Sequence, residues 1–305
     1  MSILIDEHTT VVVQGITGRE GQIIAKDSLD YGTKLIAGVT PGKGGQVIHG
    51  VPVYDSLQKG AATHRIDASV VCVPPLGVRE AASEAIENGI RLILIVTERV
   101  PRRDVAEILS LAAENNARVL GPNSLGVITP GKSKLGTVGG SIENTMQTFR
   151  RGNIGIISRS GGMMAELASI LTSNGIGQST CASIGGDPLI GSTFKDLFML
   201  FEKDDETSAV VLFCEPGGTM EEQLSDYYRA TGGSKPIIAF VAGRFVDDML
   251  GTRFGHAGVI VEKGRGSARG KIESFKAGGI PIADRVCDLV PMIRESLMGH
   301  STGGI

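Results

Sequence analysis

Five short apolar runs stand in the first 122 residues of this 305-residue chain: TVVVQG, KLIAGV, ASVVCVP, RLILIV and ARVLGP. Stretches of helical spacing part most of them, among them GREGQIIAKDSLDYG, LGVREAASEAIENG and RRDVAEILSLAAENN. The runs are apolar at successive positions rather than alternate ones. Strands of that kind are buried on both faces, and a mainly parallel sheet with helices on each side buries them so. The feature predicts a doubly wound α/β fold. A second series starts at NIGIIS. It continues through helix GGMMAELASILTSNG, strand QSTCASIG, helix GSTFKDLFMLFEKD, strand SAVVLFCE, helix TMEEQLSDYYRATG and strand KPIIAFVA. HAGVIV and a closing helix, DLVPMIRESLMG, complete it. The length is enough for two cores. Between the series, GKSKLGTVGGSIENTMQTFRRG is rich in glycine and polar residues and reads as an inter-domain segment. The expected organisation is a first domain over 1–130, a connection over 131–151, a second domain over 152–299 and a tail over 300–305.

Composition excludes several classes. Net charge is −3 with the signs mixed, and tryptophan is absent, so neither a basic nucleic-acid face nor a stacking platform is expected. Cys72, Cys181, Cys214 and Cys287 lack metal-ligand spacing and read as reduced thiols, so no metal is assigned to this chain. No apolar run approaches the ~20 residues that span a bilayer, and the start lacks a signal peptide's pattern. No membrane partner and a cytoplasmic location are expected.

Candidate sites lie at the strand tips. In QGITGREG, Gly15, Gly18 and Gly21 join a strand to a helix, where free N–H groups and a helix's positive end suit a phosphate. A tight turn without a ligand fits the spacing too, because Ile16 and Thr17 break the strict dinucleotide pattern. After KLIAGV the acid that holds a ribose in NAD-binding folds is missing, and Lys43 stands among Gly42, Gly44 and Gly45. A cation there favours a ligand with an extra phosphate, either NADP or coenzyme A. A solvated lysine is the bland alternative. Val96, Thr97 and Glu98 end another strand on the ligand-binding edge, though Glu98 also suits a helix start. In IISRSGG, Ser160, Gly161 and Gly162 begin a helix, as an anion site or a plain cap. Arg159 precedes the serine, which argues against a hydrolase elbow. Glu215 ends a buried strand before Pro216, Gly217 and Gly218. Of five histidines, only His256 lies on a glycine-flanked loop, RFGHAGVIVEKGRG, with Arg253, Lys263 and Arg265 near it in sequence. A carboxylate that holds one imidazole nitrogen leaves the other free to act as a nucleophile.

QGITGREG, GVTPGKGG, GPNSLGVITPG, GIISRSGG, IGGDP, EPGG and GHAGVI occur in that order over almost the whole chain. Together they resemble the α subunit of succinyl-CoA synthetase and its relatives, the nucleotide-forming acid–CoA ligases. The resemblance implies a Rossmann-like CoA-binding domain followed by a flavodoxin-like ligase domain. It implies that His256 is the phosphohistidine and Glu215 its orienting partner. It implies CoA contacts from Thr17, Gly18, Arg19 and Glu20, from Lys43, and from Val96, Thr97 and Glu98. Phosphate or acid contacts fall to Ser160, Gly161, Gly162, Gly217 and Gly218. ATP or GTP with Mg²⁺ is expected on a separate β subunit with an ATP-grasp domain, in an αβ or α2β2 assembly.

The acid is read from departures. SRSGGMMAEL stands where the succinate enzymes resemble SRSGTLTYEA, so Ala165 replaces a tyrosine and Gly162 a threonine. GGSIEN, GSTF and RFGHAG are more similar to ATP-citrate lyase, and the wider pocket suits citrate. Citryl-CoA formation is the expected reaction, without the lyase step, for which 305 residues are too few. Succinate, then malate, are the alternatives. An NADP-dependent oxidoreductase and a non-catalytic CoA sensor are the readings from other classes.

Overall fold

The computed structural model describes residues 2–248, 255–261 and 266–300. The first half runs β1 (Thr10–Gln14), α1 (Arg19–Asp30), β2 (Lys34–Val39), β3 (Val47–Ile48), β4 (Val51–Tyr54), α2 (Leu57–Ala61), β5 (Ala68–Val71), α3 (Val78–Glu87), β6 (Leu92–Ile95), α4 (Arg102–Glu114) and β7 (Arg118–Leu120). Its sheet has the order β3-β4-β2-β1-β5-β6-β7, parallel except for the small β3–β4 pair. The all-apolar strands alternate between two cores, as burial on both faces requires. Val11 and Val13 meet α1 on one face; Val12 meets α3 and α4 on the other.

The second half runs β8 (Gly126–Thr129), β9 (Ser133–Gly136), α5 (Ile142–Thr148), β10 (Arg151–Ser158), α6 (Gly161–Ser173), β11 (Gln178–Ser183), α7 (Phe194–Phe201), β12 (Ala209–Cys214), α8 (Met220–Thr231), β13 (Ile237–Val241), α9 (Ala268–Ala277), β14 (Ile282–Ala283) and α10 (Leu289–His300). The sheet order is β14-β13-β12-β10-β11-β8-β9. The five strands β10 to β14 are parallel, in the flavodoxin-like arrangement. Val210, Leu212 and Cys214 face α7, α8 and α9, while Val211 and Phe213 face α6 and α10.

Two expectations change. Residues 131–151 are not a connection: they hold β9 and α5, and the β8–β9 hairpin adds antiparallel to β11 at the edge of the second sheet. The boundary at 130 therefore falls inside that hairpin. Polar composition concealed it because Lys134, a polar residue, is buried there with partners of its own. Thr33 Oγ1 donates to the Lys134 carbonyl at 2.9 Å, and Lys134 Nζ donates to the Gly140 carbonyl at 3.1 Å. The glycines are there for close approach, since Cβ atoms at Gly126 and Gly136 would overlap the facing strand or loop. HAGVIV forms no strand. Residues 256–261 are turn and irregular backbone, and β14 is the sheet's last strand. The Gly258 N–H donates to the Gly186 carbonyl at 2.9 Å instead of to a ladder.

One apolar cluster crosses from the first sheet into the second, joining Val13, Leu94 and Leu120 to Leu135, Phe194 and Leu212. The two halves thus share a core. Among the described residues no helix is long and apolar enough to cross a membrane.

Candidate active site

In the second sheet the chain leaves β10 toward β11 on one side and returns to β12 on the other. The crevice at this reversal, beyond the strands' carboxyl ends, is where open α/β sheets hold ligands. The apolar interiors of β10 and β12 anchor Arg159 and Glu215 at its two lips. His256 comes from the loop after β13, and its Nδ1 lies 2.7 Å from Glu215 Oε2. A carboxylate only accepts, so Nδ1 carries the proton and the lone pair of Nε2 is left for chemistry. Among the described residues Nε2 has no hydrogen-bond partner. The ring is 32% exposed and the Glu215 side chain 13%, which shields the pair while leaving access.

The imidazole rests on Gly186, where any Cβ would overlap the ring. The hydrogen bond it donates to Glu215 raises its pKa above the ordinary histidine value. Burial opposes this; the charges of Glu215 and Asp187 reinforce it and that of Arg159 offsets it. Asp187 is held by Asn123, whose Nδ2 donates at 3.0 Å.

Ser160, Gly161 and Gly162 start α6 as expected. The Ser160 hydroxyl accepts from the Met163 N–H at 3.3 Å, so it caps its own helix. Gly161 is small because a Cβ would overlap Leu125; Gly162 is exposed, with open space beside it. Gly217 departs from its expected role as a donor. Its N–H already donates to the Gly266 carbonyl at 2.7 Å, and its φ of +97° with Gly258 O at the Cβ position explains the glycine. Gly218 is exposed and its carbonyl accepts from Lys271. Ala165 is half-buried against the core between α6 and α10. Arg253, Lys263 and Arg265 lie outside the described residues.

The first sheet reverses between β1 and β5, and two adjoining clefts of about 590 and 540 Å³ open there. Thr17 and Gly18 line the first, with Thr40 and Pro41. Gly18, Arg19, Glu20, Val96, Thr97 and Glu98 line the second. Gly15 lets the turn close, for a Cβ would overlap the Cys72 carbonyl. Gly18 gives α1 no side-chain cap, so its first N–H groups face the cleft. Lys43 is exposed on the turn that Thr40 and Pro41 begin; it does not line either cleft. Burial and Glu20 push the Cys72 thiol up to about 12, which keeps it protonated.

The loop 121–126 joins the two regions. Asn123 N–H donates to the Thr97 carbonyl at 3.0 Å, Gly186 N–H to the Asn123 carbonyl at 3.3 Å, and Gly258 N–H to the Gly186 carbonyl. A continuous run of backbone bonds thus leads from Thr97, in the lining of the second cleft, to the loop that carries His256.

Known proteins were compared with this architecture. Residues 6–99 match the CoA binding domain family and residues 157–279 the CoA-ligase family. The chain is 43% identical over 297 residues to subunit alpha 1 of an ADP-forming succinate–CoA ligase of Archaeoglobus fulgidus, covering 97% of this chain and 99% of that one. It belongs to the family of α subunits of nucleotide-forming acid–CoA ligases. A subunit of an ADP-forming sulfoacetate–CoA ligase of an Acholeplasma species is 41% identical over 97% of each chain or more. ATP citrate lyase of Methanothrix soehngenii, solved with citrate and coenzyme A, superposes with a TM-score of 0.90 at 25% identity. That match covers 98% of this chain and 51% of the other, so the chain spans about half the length of the lyase. The family membership makes the chain an enzyme subunit of the acid–thiol ligase class, and gives the oxidoreductase reading no support.

The structure adds Asn123, Gly186, Asp187 and the Lys271–Glu221 pair to this region, and gives Arg159 a place in it beyond its bearing on a hydrolase elbow. IGGDP and GPNSLG entered only as segments of the resemblance. Arg159 was visible as a lone cation directly after an apolar strand, at a sheet edge where ligands bind.

Proposed function

We propose that His256 Nε2 accepts a phosphoryl group from a nucleotide bound by a β subunit with an ATP-grasp domain, and passes it to a carboxylate. The CoA thiol then attacks the acyl carbon and expels phosphate. The 2.7 Å Glu215–His256 bond at the sheet's reversal carries this reading, because it selects the tautomer whose exposed nitrogen is nucleophilic. ATP or GTP with Mg²⁺ belongs on the partner in this scheme. Incubation with γ-labelled nucleotide and the co-purified β subunit tests it; acid-labile label on His256 is expected.

CoA is proposed for the first domain. The uncapped start of α1 and the glycine-lined turn suit its phosphates, and the tip of β2 has no acid to repel them. Thr17 to Glu20 and Val96 to Glu98 flank the cleft, with Lys43 at the rim as a screen for a peripheral phosphate. Lys43→Ala is expected to weaken CoA binding about five- to a hundredfold, the scale of one charge-assisted hydrogen bond. The loss should be smaller with dephospho-CoA. Calorimetric affinities equal to wild type for both ligands would take Lys43 out of the site.

The acid proposed is citrate. Gly162 in place of a larger side chain supports it, as does the likeness to a structure solved with citrate. With Gly217 engaged, Gly161, Gly162 and Gly218 are the remaining backbone candidates for extra carboxylates. Succinate is the second reading, favoured by the 43% identity to a succinate–CoA ligase subunit. A panel of citrate, succinate, malate and sulfoacetate with the β subunit decides: kcat/KM is expected to be highest for citrate, by about tenfold or more per donor that succinate leaves unpaired. A succinate value equal to or above it refutes the citrate assignment and leaves the phosphohistidine intact.

A further inference from the structure

Arg159 is 2% exposed, and among the described residues it makes no ion pair. Its Nη1 donates to the Gly217 carbonyl at 3.0 Å. Its Nη2 occupies the space a Cβ on Gly258 would need, two residues beyond His256. Its Nε is buried with no hydrogen-bond partner among the described residues. The other buried cation of this region, Lys271, grips the next carbonyl, Gly218, but two glutamates neutralise it. A buried guanidinium without a carboxylate is costly and survives where its placement is used.

We propose that Arg159 is the positioning residue of the His256 centre: its guanidinium fastens the Glu215 loop to the His256 loop and sets a positive charge beside the imidazole. The proposal deepens the phosphohistidine reading and rests on it for its catalytic meaning. The planar fork reaches both loops from one side chain, which a lysine ammonium cannot do. Among the described residues, the charged groups acting on His256 are Glu215 after β12, Asp187 after β11 and Arg159 after β10. Two carboxylates favour the imidazolium, which is no nucleophile. Burial opposes them, and Arg159 is the one of these three charges that does so too, so its positive charge helps to hold back protonation of His256.

The test has two readouts on the αβ complex. NMR titration of His256 is independent of phosphorylation, and quench-flow labelling reports the phosphoryl transfer. Arg159→Gln is expected to move the His256 titration to higher pH and slow labelling at least tenfold. Arg159→Lys should keep the titration near wild type and still label at least threefold slower, because charge returns without the clamp. CoA affinity should be unchanged in both. An unmoved or lowered titration in Arg159→Gln overturns the proposal. If that variant does not fold, wild-type labelling by Arg159→Lys does so. A wild type that takes no label on His256 sinks the phosphohistidine reading, while the titration still judges Arg159.

Discussion

His256→Ala is expected to form no phosphoenzyme, and acyl-CoA synthesis should fall below about a thousandth of wild type, the scale seen when a covalent nucleophile is removed. CoA affinity should change by less than twofold. The first clefts and His256 lie at the carboxyl edges of different sheets, joined through backbone bonds that a change at 256 does not remove. Glu215→Gln tests the same centre through pH. Glu215 raises the His256 pKa, and only the neutral ring is nucleophilic, so wild-type labelling should rise with pH along a limb above the ordinary histidine value of about 6.5. Without the carboxylate the limb should move to lower pH, while the rate falls because the amide no longer enforces the tautomer. In stability the sign runs with protonation. A raised histidine pKa contributes fully below the unfolded value, and the contribution is lost as pH rises through the folded one. Label found on another residue of this chain would end the His256 assignment.

The fold was legible where burial is uniform. Strands such as β6, with Leu92 to Ile95 buried, read as apolar runs because both faces are covered. The β8–β9 hairpin was not legible, since Lys134 is a buried polar residue whose partners at Thr33 and Gly140 appear only once the end of α1 and the hairpin meet. HAGVIV has a strand's composition, but its one glycine, Gly258, serves contact with Gly186 and Gly217 rather than a ladder. For the site, the resemblance implied the pairing of His256 with Glu215, 41 residues apart, and the structure holds the two 2.7 Å from each other. Spacing could not reveal that the Gly217 N–H is already taken by Gly266, nor that Arg159 donates to the Gly217 carbonyl and lies against Gly258. Those facts depend on which loops the flavodoxin-like strand order brings to one edge. One-dimensional order does not encode that adjacency.

Lys271→Met should produce the largest loss of stability, about 3–5 kcal/mol, the usual cost of breaking a buried ion pair from one side. The Lys271 side chain and that of Glu221 are both 0% exposed, 2.6 Å apart. All three ammonium donors are used, on Glu221, Glu222 and the Gly218 carbonyl. They tie α9 to the start of α8 and to the loop that presents Glu215. Burial holds the Glu221 pKa above the ordinary carboxylate value, and Lys271 and Arg159 pull it back down. Removing Lys271 therefore raises it further, because a charge on that carboxylate would be buried without its partner. A raised acid pKa means that folding is most favoured with the proton on, so the deficit of the mutant should shrink as pH falls from 8 to 5. Lys271→Met combined with Glu221→Leu should lose less than the single change, because no charge is then stranded. Denaturant unfolding of the three proteins at both pH values checks this. A single mutant within about 1 kcal/mol of wild type, or a double mutant less stable than the single, would show that the pair does not hold the loop. Loss of labelling at temperatures where Lys271→Met remains folded would then be unexpected, whereas the intact geometry argument requires it: a loosened Gly218 frees Glu215 from the imidazole it orients.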